Sequence, residues 1–166
     1  MTEPFLIRPL ESADLGRIST IYKTSIEELA SGHYDAEQRA AWKAASENEL
    51  EFASRLRAGT VLVATGERVA GFASLLGNDT LDMLYVDPLF ARRGAATVLC
   101  DMLETVAHVR GADLMTAEVS DAAAGFFLKR GFLVGERHFV SRNGARLART
   151  TMRKVLGQKG VAGGIA

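Results

Sequence analysis

The stretch Val86-Asp87-Pro88-Leu89-Phe90-Ala91-Arg92-Arg93-Gly94-Ala95-Ala96-Thr97 constrains the fold of this chain more than any other, because a strand-like run enters it and a helix-like run leaves it. Thr80 to Val86 is rich in apolar and β-favouring side chains. Pro88 can neither continue a strand ladder nor donate a backbone hydrogen bond, so a strand ends near Val86. Ala95, Val98, Leu99, Met102, Leu103, Val106 and Ala107 then recur at three- and four-residue steps, the stripe of an amphipathic helix that begins near Arg93. Two arginines open that helix, where unpaired N–H groups already present about half a positive charge and each added cation is unfavourable by roughly 0.3–1 kcal/mol. A bound anion reverses that sign. Gly94, Ala95 and Ala96 lack bulk, so the main chain can approach a ligand closely, and free amides at a helix start suit a phosphate or pyrophosphate. The competing reading is a pair of solvated surface arginines that bind nothing.

A chain of 166 residues is the usual size of one domain with one core. Lysine plus arginine and aspartate plus glutamate are both 20, so no overall field favours nucleic acid or an acidic membrane, and any anion site is local. The lone Cys100 excludes an intrachain disulfide and a multi-cysteine metal cluster; within the helix after the turn it reads as buried packing. Three histidines and one cysteine show no metal-ligand spacing, so no metal is expected. The N-terminus lacks the pattern of a secretory signal, and no apolar run approaches the roughly 20 residues that span a bilayer, so the expectation is a soluble cytoplasmic protein. Gly157 to Ala166 is small, glycine-rich and aperiodic, a flexible tail behind a single domain over residues 1–156.

Along the chain, Phe5 to Arg8 reads as a first strand closed by Pro9. Ser12 reads as the N-cap of a helix whose Leu15, Ile18, Ile21, Tyr22, Ile26 and Leu29 share one side, and Gly32 ends it. Asp35 followed by Gln38 resembles a capping box for a second helix through Trp42. A third runs from about Asn48 to Arg57, with Leu50, Ala53 and Leu56 in step. Thr60 to Ala64, Val69 to Leu76 and Thr80 to Val86 read as an antiparallel meander with turns at Gly66 and Asn78-Asp79. After the arginine-bearing helix come a strand from Leu114 to Val119 and a short helix from about Asp121 to Arg130. Phe132 to Val140 and Arg146 to Lys154 form a last pair of strands, joined at Asn143-Gly144, the strongest hairpin signal in the chain.

That order, the turn at residues 86–97 and the phrase Gly125-Phe126-Phe127-Leu128-Lys129-Arg130-Gly131-Phe132 resemble the GNAT superfamily of acetyl-coenzyme A-dependent N-acetyltransferases, over nearly the whole chain. The sub-pattern Asp82-Met83-Leu84-Tyr85-Val86-Asp87-Pro88, with His33-Tyr34 and Trp42 upstream, is similar to a small bacterial branch of it. The resemblance implies an α/β (α+β) fold: a mixed, mainly antiparallel central sheet of about six or seven strands flanked by helices. It implies acetyl-coenzyme A as cosubstrate, its pyrophosphate held by the loop of Ala91, Arg92, Arg93, Gly94, Ala95, Ala96 and Thr97. Gly94 and Ala96 fit the family's small positions, whereas Ala91 stands where the family has a leading Gln or Arg, a contact that is either replaced, by Arg92 or Arg93, or forgone. A second family phrase aligns with Ala123, Phe126, Phe127, Gly131 and Phe132, its tyrosine having become Phe127. Ser120 falls where the family commonly has an asparagine that bonds the coenzyme.

In the resembled family an amine attacks the thioester directly, so the protein supplies no nucleophile and Cys100 has no required role. It supplies geometry, a proton acceptor and a donor to the developing oxyanion. By position, the Leu84 N–H is that donor, and Leu84, Tyr85 and Val86 pair with the pantetheine arm like an added strand; the competing reading is an ordinary sheet edge. Asp82 is the candidate general base or ammonium-ordering carboxylate, because strand alternation puts its side chain on the same face as that of Leu84. An aspartate in water titrates near 4, so it needs desolvation or a water relay; the alternative is a solvated carboxylate beside a turn. Tyr85, Tyr34 or water protonates the leaving thiolate, or it departs unassisted, and Phe127 packs on the coenzyme arm. His33 and Tyr34 are candidate substrate contacts, or simply cover a helix end; Trp42 and Tyr22 read as core.

Two functions compete: an N-acetyltransferase acting on a small-molecule or peptide amine, and a non-catalytic acyl-coenzyme A sensor or docking module. A phosphate binder of another fold is a third. A homodimer is compatible with all three.

Overall fold

The computed structural model describes residues 4–157. Of the expected tail, Gly157 is described and 158–166 lie outside the described residues.

The alternating and apolar runs become the strands β1 (Leu6–Pro9), β2 (Thr60–Thr65), β3 (Val69–Leu76), β4 (Thr80–Val86), β5 (Leu114–Ser120), β6 (Leu133–Arg142) and β7 (Ala145–Val155). The helical stripes become α1 (Leu15–Leu29), α2 (Ala36–Lys43), α3 (Glu49–Arg57), α4 (Ala95–Val109) and α5 (Ala124–Lys129). The strands make one sheet in the order β1-β2-β3-β4-β5-β7-β6, antiparallel throughout except where β4 meets β5. The meander and the final hairpin form as their turn residues dictate. Asn143 and Gly144 have φ of 45° and 83°, the pair of left-handed residues that matches the twist of a two-residue hairpin.

Each face of the sheet carries its own core. On one face α4 buries Leu99, Cys100, Leu103 and Ala107 against the inward side chains of β2, β3, β5 and β7. On the other, Ile18, Ile21, Tyr22 and Ile26 of α1 and Phe52 and Leu56 of α3 cover Val61, Val63, Phe72 and Met83. Asp35 and Gln38 form the expected reciprocal cap of α2, with Asp35 N–H donating to Gln38 Oε1 at 2.9 Å and Gln38 N–H to Asp35 Oδ1 at 2.8 Å.

Three local expectations are corrected. Ser12 does not cap α1: it opens a short 3₁₀ turn, and the carboxylate that closes this segment is Asp14, which accepts the Glu11 N–H at 2.9 Å while pairing with Arg8. Leu50 is 83% exposed, because α3 packs through Phe52 and Leu56, one turn apart, rather than through a stripe beginning at Leu50. The helix after the arginines starts at Ala95, with Gly94 at its N-cap, so both arginines lie in the loop ahead of it.

The feature that positions the site is a parting of the sheet. β4 and β5 pair only at Thr80↔Thr116 and Leu81↔Ala117; beyond these β4 stays with β3 as far as Val86, and β5 stays with β7 as far as Ser120. The register explains the divergence. Ser74 faces Met83 and Leu75 faces Leu81, so Asp82 is an extra residue without a partner on β3, a bulge that bends β4 away from its parallel neighbour.

Candidate active site

The loop ahead of α4 is held from behind by a buried carboxylate. Asp87 follows β4 directly, and its N–H extends the ladder by donating to Ala70 O at 2.7 Å. Its side chain accepts the Leu89 N–H at 2.9 Å and the guanidinium of Arg17 on α1, with Arg68 at 3.9 Å. Burial pushes this carboxyl up, but Arg17, the Leu89 N–H and Arg68 outweigh it and hold it below the ordinary carboxylate range.

Beyond this anchor the chain turns through Pro88–Phe90, is extended at Ala91, and enters the left-handed region at Arg92 (φ 61°) and Gly94 (φ 94°). A side chain in that region costs roughly 1–2 kcal/mol, so Arg92 is a strained residue. The N–H groups of residues 92 to 97 meet no acceptor among the described residues, and Val98 is the first to donate into the helix, to Gly94 O at 3.1 Å. Arg92, Arg93, Gly94 and Thr97 are exposed, Ala91 and Ala96 half-buried, and Ala95 buried. The Arg93 guanidinium lies 5.5 Å from the centre of the Phe90 ring. Among the described residues neither Arg92 nor Arg93 pairs with a carboxylate, so the positive field of the helix start is uncompensated.

The same anchor sets the phase of β4. Because Asp87 and Ala70 bond as a pair, Tyr85–Phe72 and Met83–Ser74 share that phase, and the N–H and C=O groups of Leu84 and Val86 point away from β3. They face the side where β5 has departed. An unpaired strand edge thus leads straight into a row of unpaired loop amides.

The side chains of β4 divide between the two faces. Leu81, Leu84 and Val86 join the core under α4, and Met83 and Tyr85 join the core under α1 and α3. Leu81 and Leu84 share a face although three residues apart, since the bulge slips the alternation by one. The expectation that Asp82 and Leu84 share a face is therefore corrected. Asp82 lies on the α1–α3 side, where Arg55 of α3 approaches its carboxylate at 3.3 Å. Strict alternation fails wherever a strand carries an extra residue.

Around Asp82 that face is aromatic. Tyr85 packs on Tyr22 and Phe72 with ring centres 4.7 and 5.6 Å away, and Trp42 Nε1 donates to the Tyr85 hydroxyl at 3.2 Å. Burial raises the Tyr85 phenol well above its ordinary range and also raises that of Tyr22, so both stay protonated. Tyr34 is buried, its ring 5.4 Å from Trp42. Its hydroxyl donates to Ala148 O at 2.6 Å and accepts the Asp121 N–H at 2.9 Å. What Tyr34 offers a ligand is ring surface, not a free hydroxyl. His33 is exposed on the turn between α1 and α2.

On the α4 side, Phe127 is buried with its ring 5.4 Å from Phe126 and 5.0 Å from Phe132, edge to face. It carries no proton to give. The Ser120 hydroxyl accepts the Ala123 N–H at 3.2 Å and so helps start α5. Cys100 is buried beneath α4, which pushes its thiol up to about 12 and keeps it inert.

One group escaped the sequence reading. Glu118 is the first β5 residue beyond the last β4–β5 pair, and since Met115, Ala117 and Val119 are buried under α4, its side chain emerges on the opposite face, that of Asp82. Thr151 Oγ1 donates to its two oxygens at 3.0 and 2.9 Å, His138 Nε2 lies 3.4 Å away and Arg149 Nε 3.8 Å away. Arg149 Nε also donates to His138 Nε2 at 3.1 Å. The alternation of β5 carried the signal; the partners from β6 and β7 did not declare themselves.

The ensemble fits a ligand with a diphosphate at one end and an extended, amide-bearing arm at the other. Uncommitted loop N–H groups, small residues beside them and an open strand edge are what such a molecule requires. Among the described residues no group of three or more His, Cys, Asp or Glu side chains is placed to hold a metal ion, and no helix is long and apolar enough to cross a membrane.

Comparison with known proteins agrees with this geometry. Residues 30–156 match the model of the acetyltransferase (GNAT) domain. The N-acetyltransferase YafP of Escherichia coli K12 is 30% identical over 148 residues, covering 89% of this chain and 93% of that protein. A GCN5-related N-acetyltransferase from Rhodopseudomonas palustris superposes with a TM-score of 0.91 at 44% identity, over 94% of this chain and 98% of that one. The PaiA N-acetyltransferase of Thermoplasma acidophilum, solved with coenzyme A, shares the fold at a TM-score of 0.71 and 20% identity, over 93% of this chain and 99% of that one. Sheet, parted strands, amide-lined loop and these likenesses together lead to one conclusion: the chain belongs to the GNAT family of acetyl-coenzyme A-dependent acetyltransferases.

Proposed function

We propose that this protein moves the acetyl group of acetyl-coenzyme A onto a primary amine, borne by a small molecule or a peptide, by direct attack with both substrates bound. The observation that carries the reading is the continuity between the open edge of β4 and the unpaired N–H groups of residues 92–97. Acetyl-coenzyme A supplies the activated acetyl group as a thioester. Arg92, Arg93, Gly94, Ala95, Ala96 and Thr97 hold the diphosphate through main-chain N–H groups, with Ala91 leading in and the two guanidiniums adding charge. Leu84 and Val86 hold the arm through their outward N–H and C=O groups, Tyr85 lies between them, and the Leu84 N–H is positioned as an oxyanion donor. Ser120 and Phe127 border the same side, Phe127 as apolar surface.

The acceptor enters from the opposite face, over Asp82, Tyr85 and Trp42, with Tyr34 and His33 at the rim. Asp82 is an ammonium-attracting carboxylate whose charge Arg55 partly shares. Burial raises the Tyr85 phenol and makes it a weak acid, so the thiolate departs unassisted or takes its proton from water. The test is thiol release from acetyl-coenzyme A across a panel of an alkylamine, an amino acid, a polyamine and a peptide N-terminus, with coenzyme binding measured calorimetrically in parallel. Amine-dependent release is expected. Coenzyme binding with no amine raising release above the blank contradicts the reading.

A further inference from the structure

Resting on that reading, we propose that Glu118 and His138 form the proton-accepting pair of this enzyme, Glu118 taking the proton of the attacking ammonium and passing it to His138 Nε2. Placement is the first argument. Glu118 is the β5 residue at the point where β4 and β5 part, and it emerges on the face where the acceptor amine enters. Asp82 shares that face, but both its oxygens are already engaged by Arg55, at 3.3 and 3.4 Å.

The partners of Glu118 are the second argument. Its two oxygens are fixed by one hydroxyl, Thr151 Oγ1, which leaves lone pairs for an ammonium, and its side chain is 36% exposed. An isolated carboxylate holds a proton poorly near neutrality, whereas an imidazole in water titrates near 6.5. His138 Nε2 stands 3.4 Å from Glu118 Oε2. That nitrogen accepts from Arg149 Nε at 3.1 Å, while Nδ1 lies 3.4 Å from Glu136 O, so Nε2 takes the proton as the Arg149 N–H leaves it. The charged groups facing the ring are Glu118 from β5 and Arg149 from β7; on its own strand Glu136 offers its carbonyl, and Arg137 is committed to Asp121 at 2.9 Å. When Nε2 takes the proton, Arg149 can turn to Glu118, already 3.8 Å away.

The step balances. The ammonium loses one proton through Glu118 to His138, the freed nitrogen lone pair forms the C–N bond to the acetyl carbon, and the C–S bond breaks with its electron pair leaving on sulfur. The nitrogen then gives its second proton to the thiolate, directly or through water, and the first proton stays on His138 as the one released overall. During the first transfer the amine loses a positive charge as the imidazole gains one, so the charge of the pocket with its substrate is unchanged.

The experiment uses Glu118→Gln and His138→Gln, with the amine of the panel that gives the highest kcat/KM. Glu118→Gln keeps an acceptor for Thr151 and is expected to lower kcat at least about 100-fold while coenzyme affinity stays within about twofold. The wild-type kcat/KM profile is expected to fall on the acid side, and His138→Gln to move that limb to lower pH. A readout independent of turnover is the ¹⁵N NMR shift of the His138 ring nitrogens, expected to move when Glu118→Gln removes the facing carboxylate. Activity of Glu118→Gln within threefold of wild type, an unmoved acid limb in His138→Gln, or unmoved His138 ring-nitrogen shifts in Glu118→Gln overturns the proposal. In each of these the wild type still acetylates the amine, so transfer stands and only the pair falls. A wild type that acetylates nothing removes both.

Discussion

On the proposed reading, the two sides of the parted sheet recognise their substrates by opposite means. On the coenzyme side the groups are main chain: the edge of β4 and the N–H groups of residues 92–97, drawn from one continuous segment. On the acceptor side they are side chains from six elements: Tyr34 before α2, Trp42 in α2, Arg55 in α3, Asp82 in β4, Glu118 in β5, and His138 in β6 with Arg149 opposite it in β7. Main-chain recognition tolerates substitution as long as bulk and negative charge stay out, so on this reading the chain can forgo a side-chain contact at Ala91. Side-chain recognition changes with every substitution. On that reading one side suits a fixed cosubstrate and the other a particular acceptor.

The sharpest way to break this contrast is Ala96→Glu. A carboxylate in the first turn of α4 complements the helix dipole, so the free protein is expected to be unchanged or stabilised by about 0.5 kcal/mol. The same charge faces the diphosphate, and coenzyme affinity is expected to fall about 100-fold. Thermal melting and calorimetry then move in opposite directions; a variant that still binds coenzyme normally places the diphosphate elsewhere.

Asp87→Asn comes next, since it leaves Arg17 without its partner at the root of the loop. A loss of about 2–3 kcal/mol is expected in denaturant unfolding. The sign with pH follows from the lowered Asp87 carboxyl: its stabilisation is complete above the unfolded value near 4 and is lost as pH falls through the lower folded value. Wild type should therefore lose stability below about pH 4 more steeply than Asp87→Asn.

Arg93→Glu is expected to weaken coenzyme about tenfold at low salt and less at 0.5 M, because a partly exposed charge is screened. The smallest effect belongs to Arg92→Gly. Relief of the left-handed backbone slightly exceeds the entropic cost of glycine, so stability should rise by about 0.5 kcal/mol with only a few-fold loss of coenzyme affinity. Destabilisation by this change would mean that the arginine side chain holds the loop.

This division also decides what the residues revealed in advance. The order of elements, the meander, the hairpin at Asn143-Gly144 and the loop with its small residues are local patterns, and each formed where turn chemistry and periodicity put it. The face of Asp82 was misjudged, because a bulge leaves no mark in an alternating string until the partner strand is known. The Glu118 cluster was invisible for a related reason. Its members are brought together by the register of β5, β7 and β6, in which Glu118 faces Thr151 and His138 faces Arg149. The Tyr34 hydroxyl likewise found its partners at Ala148 and Asp121, more than 80 residues away along the chain. Proximity in space carries the acceptor side; proximity in sequence carries the coenzyme side.

The central claim is that the N–H groups of residues 92–97 receive the diphosphate of the coenzyme. Amide chemical shifts recorded while coenzyme A, and separately pantetheine, is added to ¹⁵N-labelled protein test it most directly. The account predicts that the amides of Arg92 through Thr97 move strongly with coenzyme A and stay in place with pantetheine, whereas Leu84 and Val86 respond to both. Saturation by coenzyme A with the amides of residues 92–97 unmoved would contradict it.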